Sequence, residues 1–272
     1  MASKLRNNLK GSFSAVSDAV PVKTDAPVLG AESIALARAA VIHEMADVMT
    51  CQDSPVPHKL VIVSAIAEFG SNDEAGLVRA NAIDTMARYM LEDAPAPVTQ
   101  SASRFLMDRL TNETDVNIRQ DVAGYLGDAL VKNISGTDKK EMIAALSSSA
   151  KIDSEHDVRA AATQSLGKAV LGNPSGIDVL ETTGVIADVA RTDTNRYVRW
   201  GAAHLIKKIL LSNVADQIPV TTLAERLTGI RPLFDSEDIP GQIIGTIERE
   251  AREDSEIKVA KKNLANKPPK LG

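Results

Sequence analysis

Residues 153–170 read DSEHDVRAAATQSLGKAV, and residues 193–210 read DTNRYVRWGAAHLIKKIL, the same pattern moved forward by 40 positions. Two earlier copies, DEAGLVRANAIDTMARYM at 73–90 and ETDVNIRQDVAGYLGDAL at 113–130, complete a series. Arginine recurs at Arg79, Arg119, Arg159 and Arg199, and a carboxylate stands six residues before each, at Asp73, Glu113, Asp153 and Asp193. Glu32 and Arg38 extend the signature one unit toward the N-terminus. A fixed period of this length marks a stacked repeat array, whose units cannot bury their apolar faces singly.

The repeat is helical. Apolar residues follow each arginine at +3, +7 and +11, one stripe of a 3.6-residue helix: Val41, Met45, Met49; Ala82, Met86, Met90; Val122, Leu126, Leu130; Ala162, Leu166, Val170; Ala202, Ile206, Leu210. An apolar residue also precedes each arginine, at Ala37, Val78, Ile118, Val158 and Val198. A second periodic segment lies in each unit, at Val56–Phe69, Val98–Leu110, Lys139–Ala150, Ile177–Ala190 and Thr221–Leu233. Turn chemistry precedes these segments: Pro55 and Pro57, Pro95 and Pro97, Gly136, Pro174 with Gly176, and Pro219. The unit therefore reads as helix, short turn, helix.

In these features the chain resembles the HEAT-repeat family, in which a proline opens the first helix and an Asp, then Val-Arg, marks the second. The matching residues are Asp73 with Val78-Arg79, Asp153 with Val158-Arg159, and Asp193 with Val198-Arg199. Glu113 with Ile118-Arg119 is a conservative departure, and Glu32 with Ala37-Arg38 a looser one. The resemblance covers residues 31–233 and implies an all-α fold: a right-handed α-solenoid of about five HEAT-like (armadillo-like) helix pairs with terminal capping helices.

The expected organisation is a flexible N-terminal arm over 1–30, a repeat body over 31–254 including a C-terminal cap, and a terminal helix with a basic tail over 255–272. In the arm, Leu5, Leu9 and Phe13 are spaced for a short docking helix, although the apolar area is small against the entropy of ordering. In the cap, Ile239, Ile243, Ile244, Ile247 and Ala251 can cover the last stacked face, with Pro240 near the helix start and Gly241 where a sixth arginine would fall. A last helix is expected from Ser255 to Leu264, before the Pro268-Pro269 stop.

Aromatic residues make up only 3% of the chain, as suits closely stacked helices. Cys51 is the only cysteine, which excludes an intramolecular disulfide. The N-terminus lacks the apolar core of a secretory signal, and no apolar run is long enough to span a bilayer. These features lead us to expect a cytoplasmic protein. Residues 31–131 carry 15 acidic and 7 basic side chains, and 132–272 carry 19 and 20. This imbalance argues against a continuous phosphate-tracking groove.

The arginines read as structural: a carboxylate of the same or an adjacent unit, with loop carbonyls, can satisfy each guanidinium and fix register. Ligand contacts are expected instead on the opposite face of the second helix, at +2, +5 and +9. That strip holds Ala40, His43 and Asp47; Asn81, Asp84 and Arg88; Asp121, Gly124 and Asp128; Ala161, Gln164 and Lys168; Gly201, His204 and Lys208. Its charge passes from acidic to basic. Trp200 and Tyr125 stand beside it, each readable as a binding anchor or as filler against the next repeat, and Arg196 and Tyr197 flank Trp200.

Catalytic signatures are thin. His43, His58, His156 and His204 are scattered and form no metal-ligand spacing. A HEAT-like di-iron hydroxylase would need several His-Glu pairs, and the chain offers only His43-Glu44. There is no nucleophile elbow, phosphate loop or dinucleotide fingerprint. No enzymatic activity, metal or cofactor is expected. The function this implies is a non-catalytic scaffold or adaptor that presents a concave helical surface to a helix or extended peptide of another protein. Two alternatives rest on analogy of fold: a nucleic-acid-associated protein using the basic C-terminal half, and a subunit like the HEAT-repeat bilin lyases.

Overall fold

The computed structural model describes residues 30–51, 53–92, 94–172, 176–210, 212 and 249. The expected arm before Gly30, the Pro174 turn, the helix at Thr221–Leu233, the cap around Ile239–Ala251, and the terminal helix and tail lie outside the described residues, Arg249 excepted. The chain divides into two units, Met1–Ile34 and Ala35–Gly272. Of the first, only Gly30–Ile34 is described, and Ala31–Ile34 begin helix α1.

Among the described residues there are nine helices and no strand: α1 (Ala31–Thr50), α2 (Val56–Asn72), α3 (Gly76–Leu91), α4 (Ala96–Asn112), α5 (Val116–Lys132), α6 (Lys139–Ile152), α7 (His156–Gly172), α8 (Val179–Thr192) and α9 (Arg196–Leu210). Local chemistry sets their ends. Pro55 and Pro95 occupy the N-cap positions of α2 and α4, with Pro57 and Pro97 in the first turn, where a missing N–H costs no intrahelical bond. Asp115, Asp138 and Asp178 cap α5, α6 and α8, each side chain accepting from backbone N–H groups of the first turn. Asn133 closes α5 in the left-handed region, at φ 56°.

In the second unit each helix from α2 onward packs against the next, and also against the next but one. Helices α3, α5, α7 and α9 thus form one row and α2, α4, α6 and α8 another. The stripe lies between them: Met86, Met90, Leu126, Leu130, Leu166, Val170 and Ile206 are buried. Helix α1 departs from this pattern. Val41 is exposed, and the buried line runs through Ile42, Ala46 and Met49. The repeat is one residue longer here, Arg38 standing 41 residues before Arg79; Ile42, Ala46 and Met49 keep the +4, +8 and +11 positions that Ile83, Ala87 and Met90 bury in α3, and only the +3 position is left exposed.

Close approach within the row of odd-numbered helices depends on small residues. A Cβ at Gly127 of α5 would lie 2.6 Å from Ser165 of α7, and one at Gly167 of α7 would lie 2.7 Å from Leu205 of α9. Ser165 also donates from Oγ to the Ala123 carbonyl at 2.7 Å, satisfying a buried hydroxyl across the same contact.

Candidate functional site: the exposed face of the odd-numbered helices

Removing the structural residues isolates the surface that remains for a ligand. Asp73, Glu113, Asp153 and Asp193 each terminate an even-numbered helix, whereas Glu32 lies inside the first turn of α1. Each arginine turns one edge back to its own turn: Nη1 of Arg79, Arg119, Arg159 and Arg199 donates to the main-chain carbonyls six and five residues earlier, at 2.7–3.2 Å. From Arg38 to Arg159 another edge reaches forward to the next unit. Arg38 bonds Asp73, Arg79 bonds Glu113, Arg119 bonds Asp153 and Arg159 bonds Asp193, at 2.7–3.1 Å.

These pairs are largely removed from water. The hydrogen bond with Glu113, outweighing burial, raises Arg79 above its ordinary value, and Asp153 and Asp193 do the same for Arg119 and Arg159. Burial pushes the Glu113 carboxyl up, but hydrogen bonds from Arg79 and the Asp115 backbone overcome it, so the group titrates below the usual carboxylate range. Asp193 behaves alike: burial opposes, while Arg159 and the Asn195 backbone prevail. Both edges of Arg79, Arg119 and Arg159 are occupied, which leaves little for a ligand to take.

The strip residues are placed differently. Asp84 and Arg88 on α3, Asp121 on α5, Gln164 and Lys168 on α7, and Trp200 and Lys208 on α9 are exposed; Tyr125, Asp128 and His204 are half-buried. The helices bring them together across units. The Tyr125 hydroxyl donates to Asp84 Oδ1 at 2.8 Å, joining α5 to α3. Lys168 Nζ lies 3.3 Å from Asp128 Oδ1, joining α7 to α5. Gln164 and His204 line one groove between α7 and α9. Burial, Asp84 and Asp115 raise the Asp121 carboxyl above its ordinary value, and burial and the Asp84 bond raise the Tyr125 phenol.

Trp200 is 66% exposed. Its ring stacks on His204 one turn along the same helix, 5.7 Å between centroids and 10° between planes. Tyr125, by contrast, packs against the core through its ring. Tyr197 is as exposed as Trp200, with the Arg196 guanidinium 4.7 Å above its ring. The groove beside them, about 210 Å³, is lined by Ala160, Thr163, Gln164, Tyr197, Val198, Gly201, Ala202, His204, Leu205 and Lys208. Sequence reading missed Ala160, Thr163 and Leu205. Leu205 stands at +6, the repeat position of Tyr125, and comparing that row between units would have found it.

A second feature not legible in the sequence is a cavity of about 360 Å³ among Met49, Thr50, Lys59, Tyr89, Glu92, Ala94 and Pro95. Lys59 is buried there, and burial together with Glu92 pushes the Tyr89 phenol up to about 12. The histidines occupy separate helices, α1, α2, α7 and α9. Among the described residues no group of three or more His, Cys, Asp or Glu is placed to hold a metal ion, and no helix is long and apolar enough to cross a membrane. No family model matches the chain, and neither a curated protein nor a solved structure matches it.

Proposed function

We propose that the chain is a HEAT-like, right-handed α-solenoid of about five helix pairs with terminal caps, working as a non-catalytic scaffold or adaptor that binds another protein on the face of its odd-numbered helices. Two regularities support the architecture: each helix from α2 to α9 contacts its next and next-but-one neighbours, and the arginine of one unit bonds the carboxylate of the following one. The observation that carries the function is the exposed pair Tyr197 and Trp200, with half-buried His204 stacked on Trp200, beside a groove. Aromatic side chains at this exposure are the usual anchors of protein interfaces. The groove is also smaller than the roughly 300 Å³ at which small-molecule sites begin.

Affinity capture from native cell extract tests the reading, comparing the intact chain with a triple variant, Trp200→Ala, His204→Ala and Lys208→Ala, at two salt concentrations. Circular dichroism first establishes that both are folded. A protein partner lost only from the variant supports the scaffold. Recovery mainly of nucleic acid, released by salt and indifferent to the variant, would replace it with the nucleic-acid reading. A coloured, tetrapyrrole-bearing partner would favour the lyase-like alternative.

A further inference from the structure

The glycines of the odd-numbered helices fall into two kinds. At Gly127 an added Cβ would meet the side chain and Cα of Ser165, and at Gly167 the side chain of Leu205, so at both something on the next helix must shift. At Gly124 and Gly201, also inside helices and on the ligand-facing strip, an added Cβ meets nothing within 4 Å. A helix-interior glycine costs about 1 kcal/mol relative to alanine, and at these two positions the fold gains no contact in return. Gly201 is moreover in the wall of the α7–α9 groove, next to Trp200. The open space above it admits close approach by another chain.

Charge fixes what kind of chain. Helix α9 contains no Asp or Glu, and its exposed face presents Arg196, Lys208 and the partly covered Lys207 around the aromatic cluster. Farther along the strip the exposed charges include Asp84 and Asp121, with Asp128 held by Lys168. A polyanion running along the strip would leave the cationic end and meet these carboxylates, which disfavours nucleic acid there. On α7 and α9 the exposed carboxylate is Asp157, in the first turn of α7, against the cationic Arg196, Lys207 and Lys208 of α9, so a short anionic stretch seated toward α9 meets net positive charge. The groove volume suits a single apolar side chain.

We propose that the α7–α9 groove binds an acidic segment of a partner protein, seating one apolar side chain beside Gly201 and Leu205, with flanking carboxylates on Arg196 and Lys208. This rests on the scaffold reading and specifies the chemistry of its partner. The segment's backbone lies over Gly201, and its apolar side chain takes contact area from Tyr197 and His204, which line the groove.

Trp200 is the only tryptophan of the chain and stacks on His204, which lines the groove, so its emission reports occupancy there through that contact. The probes are a short synthetic peptide with a central leucine flanked by glutamates, its isomer with lysines in their place, and an oligothymidylate. The glutamate peptide is expected to shift Trp200 emission saturably, with the lysine isomer at least about tenfold weaker. Lys208→Glu is expected to weaken the glutamate peptide by about tenfold. Gly201→Leu is expected to abolish its binding while helicity and melting temperature stay at or above those of the parent chain, since the site is open. No saturable shift, equal response to both peptides, or tighter binding of the oligothymidylate would overturn the proposal. If the strip variant loses a captured protein while the glutamate peptide leaves Trp200 unchanged, the acidic chemistry falls and the scaffold stands; loss of both removes both.

Discussion

Replacing Arg119 by alanine is the sharpest test of the interlocked turns. Its Nε and Nη2 each lie 3.0 Å from an Asp153 oxygen, and its Nη1 reaches the Glu113 and Thr114 carbonyls at 2.9 and 3.2 Å. Both side chains of the ion pair are only 9% exposed. Arg119→Ala therefore strands a carboxylate whose remaining bond is to the Glu155 N–H and takes the donor from two carbonyls. Breaking a buried pair by deleting one partner costs about 3–5 kcal/mol. For a chain of this size that corresponds to a fall in melting temperature of about 10 °C. Arg38 supplies the control, because its side chain is 30% exposed and water can replace part of its bond to Asp73. Arg38→Ala should cost less than Arg119→Ala, because water already reaches the guanidinium side of the pair, although Asp73 is itself only 7% exposed. Urea denaturation followed by circular dichroism measures both, and the double variant Arg119→Ala, Asp153→Ala should be less damaged than the sum of the two single ones. A cost below about 1 kcal/mol at Arg119, or equal costs at Arg38 and Arg119, would refute the argument that buried interlocking, rather than the arginine's presence on a helix, does the stabilising.

Glycine substitutions should divide by row geometry: Gly167→Ala is expected to cost about 1–3 kcal/mol through overlap with Leu205, whereas Gly201→Ala should stabilise by up to about 1 kcal/mol, both read from thermal melts. Acid sensitivity should follow Glu113, whose pKa is depressed in the folded chain. Its contribution is fully present above the unfolded carboxylate value and is lost as pH falls through the folded one, so urea midpoints should drop below about pH 4, and Glu113→Gln should be less stable at neutral pH but less sensitive to acid. Asp121 has the opposite sign, its pKa being raised by burial, Asp84 and Asp115. Asp121→Asn should raise the melting temperature only slightly at neutral pH, because the group is exposed and screened by solvent, and the gain should disappear as pH falls through the folded value.

Periodic local chemistry was legible in the sequence. Apolar residues at helical spacing, prolines at helix starts and aspartates before helices located α2 to α9, because each signal acts within one or two turns. The stripe from Met86 to Ile206 followed for the same reason, and it departs at α1, where Val41 at +3 is left exposed. Positions on the strip could also be named, since a helix face is a property of spacing.

Relations between units needed the stacked chain. An arginine and a carboxylate six residues apart read as a possible pair, but Nη1 is held by the carbonyls of its own turn, and the free edge points to the carboxylate 34 residues ahead. Which half of a guanidinium is left over depends on how two turns are stacked, and no local signal carries that. The same holds for the groove. Gly167 and Gly201 are indistinguishable as letters, yet stacking puts Leu205 against the first and open space over the second. Trp200 is likewise left uncovered by its neighbours. Helices form from interactions within a turn, whereas a binding surface is defined by what neighbouring helices leave uncovered.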